Sequence, residues 1–354
     1  MTAQMNLQNL ERLRAKYTGD QAERTYNPRF SKVVELLFRD GTRQLPFAGT
    51  PHFLAAPGLS APIDAGGLDG LQVAIAGIPM DLGVSNRSGA RFGPRAVRGI
   101  ERIGPYNAAL DCLPLTDLKA ADVGDVPFRS RFSLESCHQD IESFVSRIVA
   151  AGVAPLSVGG DHSVTHPILR AVGRRKPVGL VHIDAHCDTG GPFDGTRFHH
   201  GAPFRNAVLD GVLDPERCIQ IGIRGSSEYL WEFSADSGMT VISMDQFERM
   251  GCEAVIREAA EVVGDGPVYV TFDVDGLDPS FAPGTGTPEV GGLTTREVLQ
   301  ILHGLKGMNV VGGDVVEIAP QYDPTTNTVQ TAAQILFEIL SLMVFSPSIG
   351  RRAP

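Results

Sequence analysis

Four short polar segments, each set directly behind an apolar run of strand length, restrict what this 354-residue chain can fold into. They are Gly159-Gly160-Asp161-His162, Asp184-Ala185-His186-Cys187-Asp188, Asp273-Val274-Asp275, and Glu317. The runs ahead of them, at 154–158, 178–183, 268–272 and 310–316, are largely apolar without alternation. Such runs mark strands buried on both faces of a parallel sheet. Side chains two apart on a strand share a face. If the extended geometry persists past residue 183, Asp184, His186 and Asp188 lie on one side, with Ala185 and Cys187 on the other. Asp273 and Asp275 are delivered in the same way.

The rest of the body keeps this rhythm. Further strands are expected at 73–78, 120–123, 218–223 and 240–243. Helices are expected at 94–103, 134–151, 164–172, 252–263, 294–305 and 328–343. The pattern predicts an α/β fold with three layers, α-β-α, around a mainly parallel central sheet. Open α/β sheets bind ligands beyond the carboxyl ends of their strands, where the polar segments fall. The first 70 residues differ. They have a polar start with Leu10, Leu13 and Tyr17 at helical spacing, an amphipathic stretch at 33–38, and a Gly/Pro-rich stretch from 46 to 70. We read 1–70 as an N-terminal arm, packed on the body or on a neighbouring subunit, and 71–354 as one catalytic domain.

The formal net charge of −10 argues against a nucleic-acid partner and against an anionic membrane surface. Five scattered cysteines without a Cys-x-x-Cys pair give neither a disulfide framework nor a structural zinc site. No basic and apolar leader opens the chain, and no run reaches transmembrane length, so a cytoplasmic protein is expected. No Gly-x-Gly-x-x-Gly follows the first strand, and neither a P-loop nor Gly-x-Ser-x-Gly occurs.

Six of the nine histidines lie between 162 and 200. Carboxylate and imidazole at this density hold hard or borderline divalent cations. Each piece is weak alone, since Asp-x-Asp behind a strand is commonly a turn or cap signal. Cys187 is expected to point away from a metal, and His182, inside its strand, to be a hydrogen-bonded core residue. His166, Asp161 and Asp278 read as outer or packing groups. His52, His138 and His303 show no partner in the sequence.

Three segments carry a resemblance. Gly159-Gly160-Asp161-His162-Ser163, the His-Ile-Asp-Ala-His-Cys-Asp of 182–188, and the Thr-Phe-Asp-Val-Asp-Gly-Leu-Asp-Pro-Ser-Phe-Ala-Pro-Gly-Thr-Gly-Thr-Pro of 271–288 resemble, in order and spacing, the ureohydrolase family. That family includes arginase, agmatinase, guanidinobutyrase, guanidinopropionase and guanidinase. The resemblance runs from residue 71 to the end. The loop at 86–95 is similar to the agmatinase-like branch, near guanidinobutyrase and guanidinase-type enzymes.

The resemblance implies an arginase/deacetylase-like fold and two divalent ions, Mn²⁺ or Ni²⁺. His162, Asp184, Asp188 and Asp273 would hold one ion, and Asp184, His186, Asp273 and Asp275 the other. His200 matches the catalytic histidine, with His199 beside it as the competing assignment. Glu317 matches the glutamate that grips a guanidinium, and Thr287 belongs to a Gly/Thr-rich pocket wall at 283–288. A trimer or hexamer is implied, alone or with a paralogous subunit.

The chemistry suits these residue types. A guanidinium carbon is a poor electrophile, and two cations sharing a water supply hydroxide at neutral pH. Four aspartates balance two divalent ions. The leaving amine needs a proton, for which Asp188 and His200 are the candidates. The expected substrate is a small guanidino compound: guanidine, a substituted guanidine or biguanide such as metformin, or a guanidinoalkanoate. Agmatinase or guanidinobutyrase proper is the alternative. The loop at 189–198 lacks the Asn-rich sequence by which arginases hold an amino acid, while Arg87 or Arg197 offers a carboxylate partner and Tyr229, Trp231 and Phe233 offer a wall for an alkylated cation. Two other readings are a single-zinc deacetylase, which His162 with Asp275 argues against, and a non-catalytic metal-binding subunit of a hetero-oligomer.

Overall fold

The computed structural model describes residues 7–19, 26–37, 47–101, 103–225 and 231–349. The chain divides into two compact units, Met1–Ala48 and Gly49–Pro354. In the first, α1 (Leu7–Tyr17) buries none of its side chains, and α2 (Pro28–Leu37) covers most of the stretch expected to be amphipathic. Phe38 lies outside the described residues. Tyr26 turns back onto α1, its hydroxyl donating to the Lys16 carbonyl and its ring edge-on to Tyr17.

The second unit begins earlier than the sequence-based boundary at 70. Phe53 and Leu54 are buried in the body's core with Val97 and Leu110, where burial of their apolar surface holds this segment to the body. The Phe53 amide donates to the Asp122 carboxylate at 3.0 Å.

The body is built on eight strands: β1 (Val73–Ile78), β2 (Ala120–Asp125), β3 (Ala154–Gly159), β4 (Val178–Ile183), β5 (Leu213–Ile223), β6 (Thr240–Ser243), β7 (Val268–Asp273) and β8 (Val310–Val316). They form one sheet in the order β2-β1-β3-β8-β7-β4-β5-β6, and every pairing is parallel. Among the described residues ten helices connect and cover it: α3 (Gly93–Arg98), α4 (Pro114–Asp117), α5 (Leu134–Ala150), α6 (Thr165–Val172), α7 (Pro203–Leu209), α8 (Glu232–Ser237), α9 (Met244–Met250), α10 (Cys252–Val263), α11 (Thr295–Gly304) and α12 (Asn327–Val344).

The strands feed two apolar layers. In β1, Val73 and Ile75 join one layer with residues of α3, α10, α11 and α12, while Ala74, Ala76 and Ile78 join the other with α5, α6 and α7. Burial on both faces is why the strand sequences do not alternate. Helix starts follow local chemistry: Ser133 caps α5, and Ser243 and Thr294 form capping boxes with Gln246 and Glu297. Among the described residues no helix is long and apolar enough to cross a membrane.

Strand order decides where the site falls. The four polar segments follow β3, β8, β7 and β4, which are four consecutive strands at the centre of the sheet. Their carboxyl ends therefore open side by side. Gly160 makes the approach of β3 to β1 possible, since a Cβ there would collide with the Met80 carbonyl.

Candidate metal centre

Extended geometry does not persist past β4. Residues 184–186 form successive bends, and Asp188 adopts the left-handed backbone at φ 51°. Pleat parity is thus not what gathers Asp184, His186 and Asp188, although the three do meet. The strain at Asp188 is of the kind held in place by surrounding structure. Asp273 ends β7, and one turn of 3-10 helix carries Asp275, whose amide donates to Asp273 Oδ1 at 2.8 Å. Helical curl, not strand alternation, brings the second carboxylate back to the first.

The side chains form two overlapping groups, one of His162, His182, Asp184 and Asp188, the other of Asp184, His186 and Asp275. His162 Nδ1 lies 2.9 Å from Asp188 Oδ2, 3.0 Å from Asp184 Oδ2 and 3.3 Å from Asp273 Oδ2. His186 Nδ1 lies 3.3 Å from Asp275 Oδ2 and 3.5 Å from Asp184 Oδ1. Asp184 thus serves both groups. All six residues expected to bind metal converge.

His182 reaches Asp184 Oδ2 at 2.7 Å with Nε2. Its Nδ1 faces the Gln220 amide nitrogen at 3.0 Å, and that nitrogen also donates to the Cys187 carbonyl at 2.6 Å. A carbonyl can only accept, so the Gln220 amino group points this way and Nδ1 accepts its second proton. Both ring nitrogens of His182 are spent, and it holds Asp184 in place as an outer group. Cys187 is buried, and burial pushes its thiol up to about 12, so it brings no thiolate to the site.

Charge accounting tests the fit to divalent ions. His162 Nδ1 is buried with no hydrogen-bond partner, yet three carboxylate oxygens surround it. Burial opposes charge on His162, but Asp184, Asp188 and Asp273 hold its pKa well above the ordinary histidine value. Burial, then Asp275 and Asp184, push Asp273 well above the usual carboxylate range. Such a collection of acidic groups calls for positive charge at its centre, and a donor set of carboxylate oxygens with imidazole nitrogens fits divalent cations.

Glu317 follows β8 with φ 61°. Its Oε1 accepts the His162 amide at 2.9 Å and His200 Nδ1 at 2.9 Å, while Oε2 is buried without a partner. Burial would lower the His200 pKa, but the hydrogen bond and charge of Glu317 raise it to about 9. His199 instead meets the Gly191 carbonyl at 2.8 Å, so His200 is the histidine that faces Glu317. Asp161 caps the turn into α6 and accepts the Gly83 amide; burial, then Glu317, push it up to about 7.

The site opens into a cavity of about 810 Å³. Ser85, Asp188, His200, Trp231, Thr287 and Glu289 are among its lining residues. The Thr287 hydroxyl donates to Asp275 Oδ2 at 3.0 Å, so it steadies a carboxylate as well as lining the wall. Arg87 directs Nε and Nη2 at the carbonyls of Gly286 and Thr285 and stacks on Tyr322. Arg224 donates to the carbonyls of Gly222, Asp275, Gly276, Leu277 and Glu289, tying the end of β5 to the loop beyond β7. Arg197 stacks on Phe198, Arg205 stacks on Phe233, and Tyr229 falls outside the described residues.

Partners invisible in the sequence appear for the outlying groups. His52 pairs with Asp122, His138 with Ser163, His166 with Asp210 and His303 with Glu338. Asp278 caps the amides of Ser280 and Gly291.

The sequence profile of the arginase family matches residues 71–341. The guanidinopropionase of Pseudomonas aeruginosa is 45% identical over 313 residues, covering 85% of this chain and 93% of that protein. The mitochondrial agmatinase of Gallus gallus is 46% identical over 283 residues, covering 78% and 82%. Among solved structures, proclavaminate amidino hydrolase from Streptomyces clavuligerus superposes with a TM-score of 0.79 at 36% identity, covering 84% of this chain and 98% of that one.

Proposed function

The chain belongs to the arginase family as a hydrolase of non-peptide carbon–nitrogen bonds in guanidino compounds, and we propose that it cleaves a small guanidine at a pair of divalent ions, Mn²⁺ or Ni²⁺. The observation that carries this reading is the convergence of His162 Nδ1 with three carboxylate oxygens beside the unpartnered Oε2 of Glu317. His162, Asp184, Asp188 and Asp273 would hold one ion, and Asp184, His186, Asp273 and Asp275 would hold the other. When bound, the ions supply Lewis acidity and make water a nucleophile at neutral pH.

The chain's own groups do the rest. Glu317 Oε2 accepts the guanidinium N–H groups and aims the carbon at the centre. Asp188, at the inner wall of the cavity, is placed to accept a proton there. His200, charged beside Glu317, is the acid for the leaving nitrogen.

A guanidine or substituted guanidine is favoured over a guanidino acid. What supports this is that the cation edges of Arg87 and Arg224 are turned to backbone carbonyls, while the aromatic Trp231 is among the residues that line the cavity. Metformin-type biguanides fall within the same class, and agmatine and 4-guanidinobutanoate are the competing substrates. Assembly as a trimer or hexamer, alone or with a paralogue, belongs to the same reading. The test is a kinetic screen of these compounds after loading with Mn²⁺ or Ni²⁺, with metal content measured in parallel. Two ions per chain with release of urea or amine is the expected result. Bound metal without turnover of any guanidine would reduce the chain to a binding subunit.

A further inference from the structure

Glu289 has no part in the roles above, yet it stands in the wall of the cavity with its side chain 36% exposed. Arg224 fixes its backbone, with Nε and Nη2 reaching the Glu289 carbonyl at 3.3 and 2.7 Å. The carboxyl group lies over Gly225, where φ is 87° and a Cβ would come 3.0 Å from Cδ and 3.1 Å from Oε1. Glycine at 225 gives that group its room. Among the described residues the carboxylate accepts no hydrogen bond: His186 Nε2, 3.7 Å from Oε1, is beyond hydrogen-bond reach.

The donors around the same cavity are turned to the protein itself. Arg224 gives all three guanidinium nitrogens to backbone carbonyls. Arg87 directs Nε and Nη2 at the carbonyls of Gly286 and Thr285, and Asn86 Nδ2 donates to Gly286 at 2.9 Å. His199 Nε2 meets the Gly191 carbonyl, the Thr287 hydroxyl donates to Asp275, and the Ser85 hydroxyl lies 2.7 Å from His200 Nε2. Two acceptors stay open, Glu317 Oε2 and the Glu289 carboxylate. A wall that offers acceptors and keeps its donors occupied suits a ligand rich in N–H groups. It sets like charge against a ligand that ends in a carboxylate.

We propose that Glu289 is a specificity-determining residue: it pairs with a second cationic or N–H-rich group of the substrate while Glu317 holds the guanidinium to be cleaved. This rests on the hydrolytic reading above and narrows its substrate class. Amine-bearing guanidines and biguanides fit the two carboxylates, and guanidino acids are repelled by the second. No bond is made or broken at Glu289.

The test uses agmatine and 4-guanidinobutanoate, which are similar in length and opposite in the charge of the far end. Each is measured on the full, metal-loaded chain as a substrate, or by calorimetric Kd where it is not cleaved. The readout is the preference for agmatine over the acid, as a ratio of kcat/KM or of affinities. Glu289→Gln removes both an attraction and a repulsion, each worth a few-fold at a partly exposed site, so the ratio should fall by about tenfold with metal content unchanged. Glu289→Asp should retain most of the preference. An unchanged ratio in Glu289→Gln would overturn the proposal, and so would a parent that prefers the acid. Loss of metal at an unchanged ratio would overturn it too, by making Glu289 a support for His186. If the parent hydrolyses no guanidine, it is the hydrolytic reading that fails, while the Kd ratio still decides the role of Glu289.

Discussion

The Nε2 atom of His162 lies 2.9 Å from the hydroxyl oxygen of Thr271, which gives its own proton to Asp314 Oδ1 at 2.5 Å. A hydroxyl has one proton to give, so Thr271 accepts the one on Nε2. That assignment leaves Nδ1, the atom among the carboxylates, as the nitrogen that could turn a lone pair to a metal ion. Sheet register sets it up, because Thr271 on β7 is paired with Asp314 on β8. Asp314 is fully buried and also accepts the hydroxyls of Thr165 and Tyr269. Replacing Thr271 with Val removes the acceptor and frees the tautomer. Affinity for metal should fall by about 10–100-fold, with Thr271→Ser close to the parent. A chelator competition read by metal content checks this, and unchanged affinity in Thr271→Val would refute it.

Glu317 and Asp184 separate binding of substrate from binding of metal. Glu317 Oε2 has no hydrogen-bond partner among the described residues, whereas Asp184 belongs to both candidate metal-binding groups. Glu317→Gln should keep two ions per chain while kcat/KM falls by about 100-fold or more, since the guanidinium loses its charged, two-point hold. Asp184→Asn should lose metal and turnover together. Metal analysis and steady-state kinetics on the same samples check the pair. Full activity in Glu317→Gln would remove that residue from the reaction.

Strand placement was legible because buried parallel strands carry their signal in every residue. Val73–Ile78, Thr240–Ser243 and Val310–Val316 match their sequence-based ranges, and α10 matches at both ends. Short helices were not: α4, α7, α8 and α9 span four to seven residues, too few turns for a helical period to stand out. The residues proposed to hold metal stood out in the sequence by type and spacing, but the reason for their convergence did not. Asp188 needs a left-handed backbone, and Asp275 a helical turn, neither of which alternation foresees. Ser85, Thr271, Gln220 and Arg224 escaped notice because each reaches the site across tens of residues, as with Ser85 and His200, 115 positions apart.

Removing the ions should weaken the fold as well as the reaction. Without them, Asp184, Asp273 and Asp275 lie buried together, offset by neighbouring histidines and by the hydrogen bonds of a hydroxyl and a few amides. Any ligand bound only by the folded state stabilises it, by about 2.7 kcal/mol at a hundredfold excess over Kd. Chelation should therefore lower Tm by roughly 5 °C in a chain of this size, and Mn²⁺ or Ni²⁺ should restore it. Thermal scans with and without chelator decide the matter. A Tm indifferent to both would mean that the carboxylates are accommodated without metal.

Far from the metal centre, Asp122 makes the fold sensitive to acid. Burial works against its charge, but the Arg98 guanidinium and the amides of Phe53 and Gly124 hold its carboxyl below the usual range. Arg98 Nε and Nη2 reach it at 2.8 and 3.0 Å, and the pair is nearly closed to solvent, with side chains 13% and 2% exposed. A carboxyl with a lower pKa folded than unfolded stabilises the fold fully above the unfolded value of about 3.9. That contribution is lost as pH falls through the folded value. Asp122→Asn leaves Arg98 short of a charge partner and should cost about 2–4 kcal/mol at pH 7, below the full figure for a sealed pair because some solvent reaches Arg98. The gap between parent and variant should stay level from pH 8 to about 5 and narrow below about 4. Urea unfolding across that range measures it. A gap that stays constant down to pH 2 would show that the Asp122 charge does not hold this corner of the sheet to the segment around Phe53.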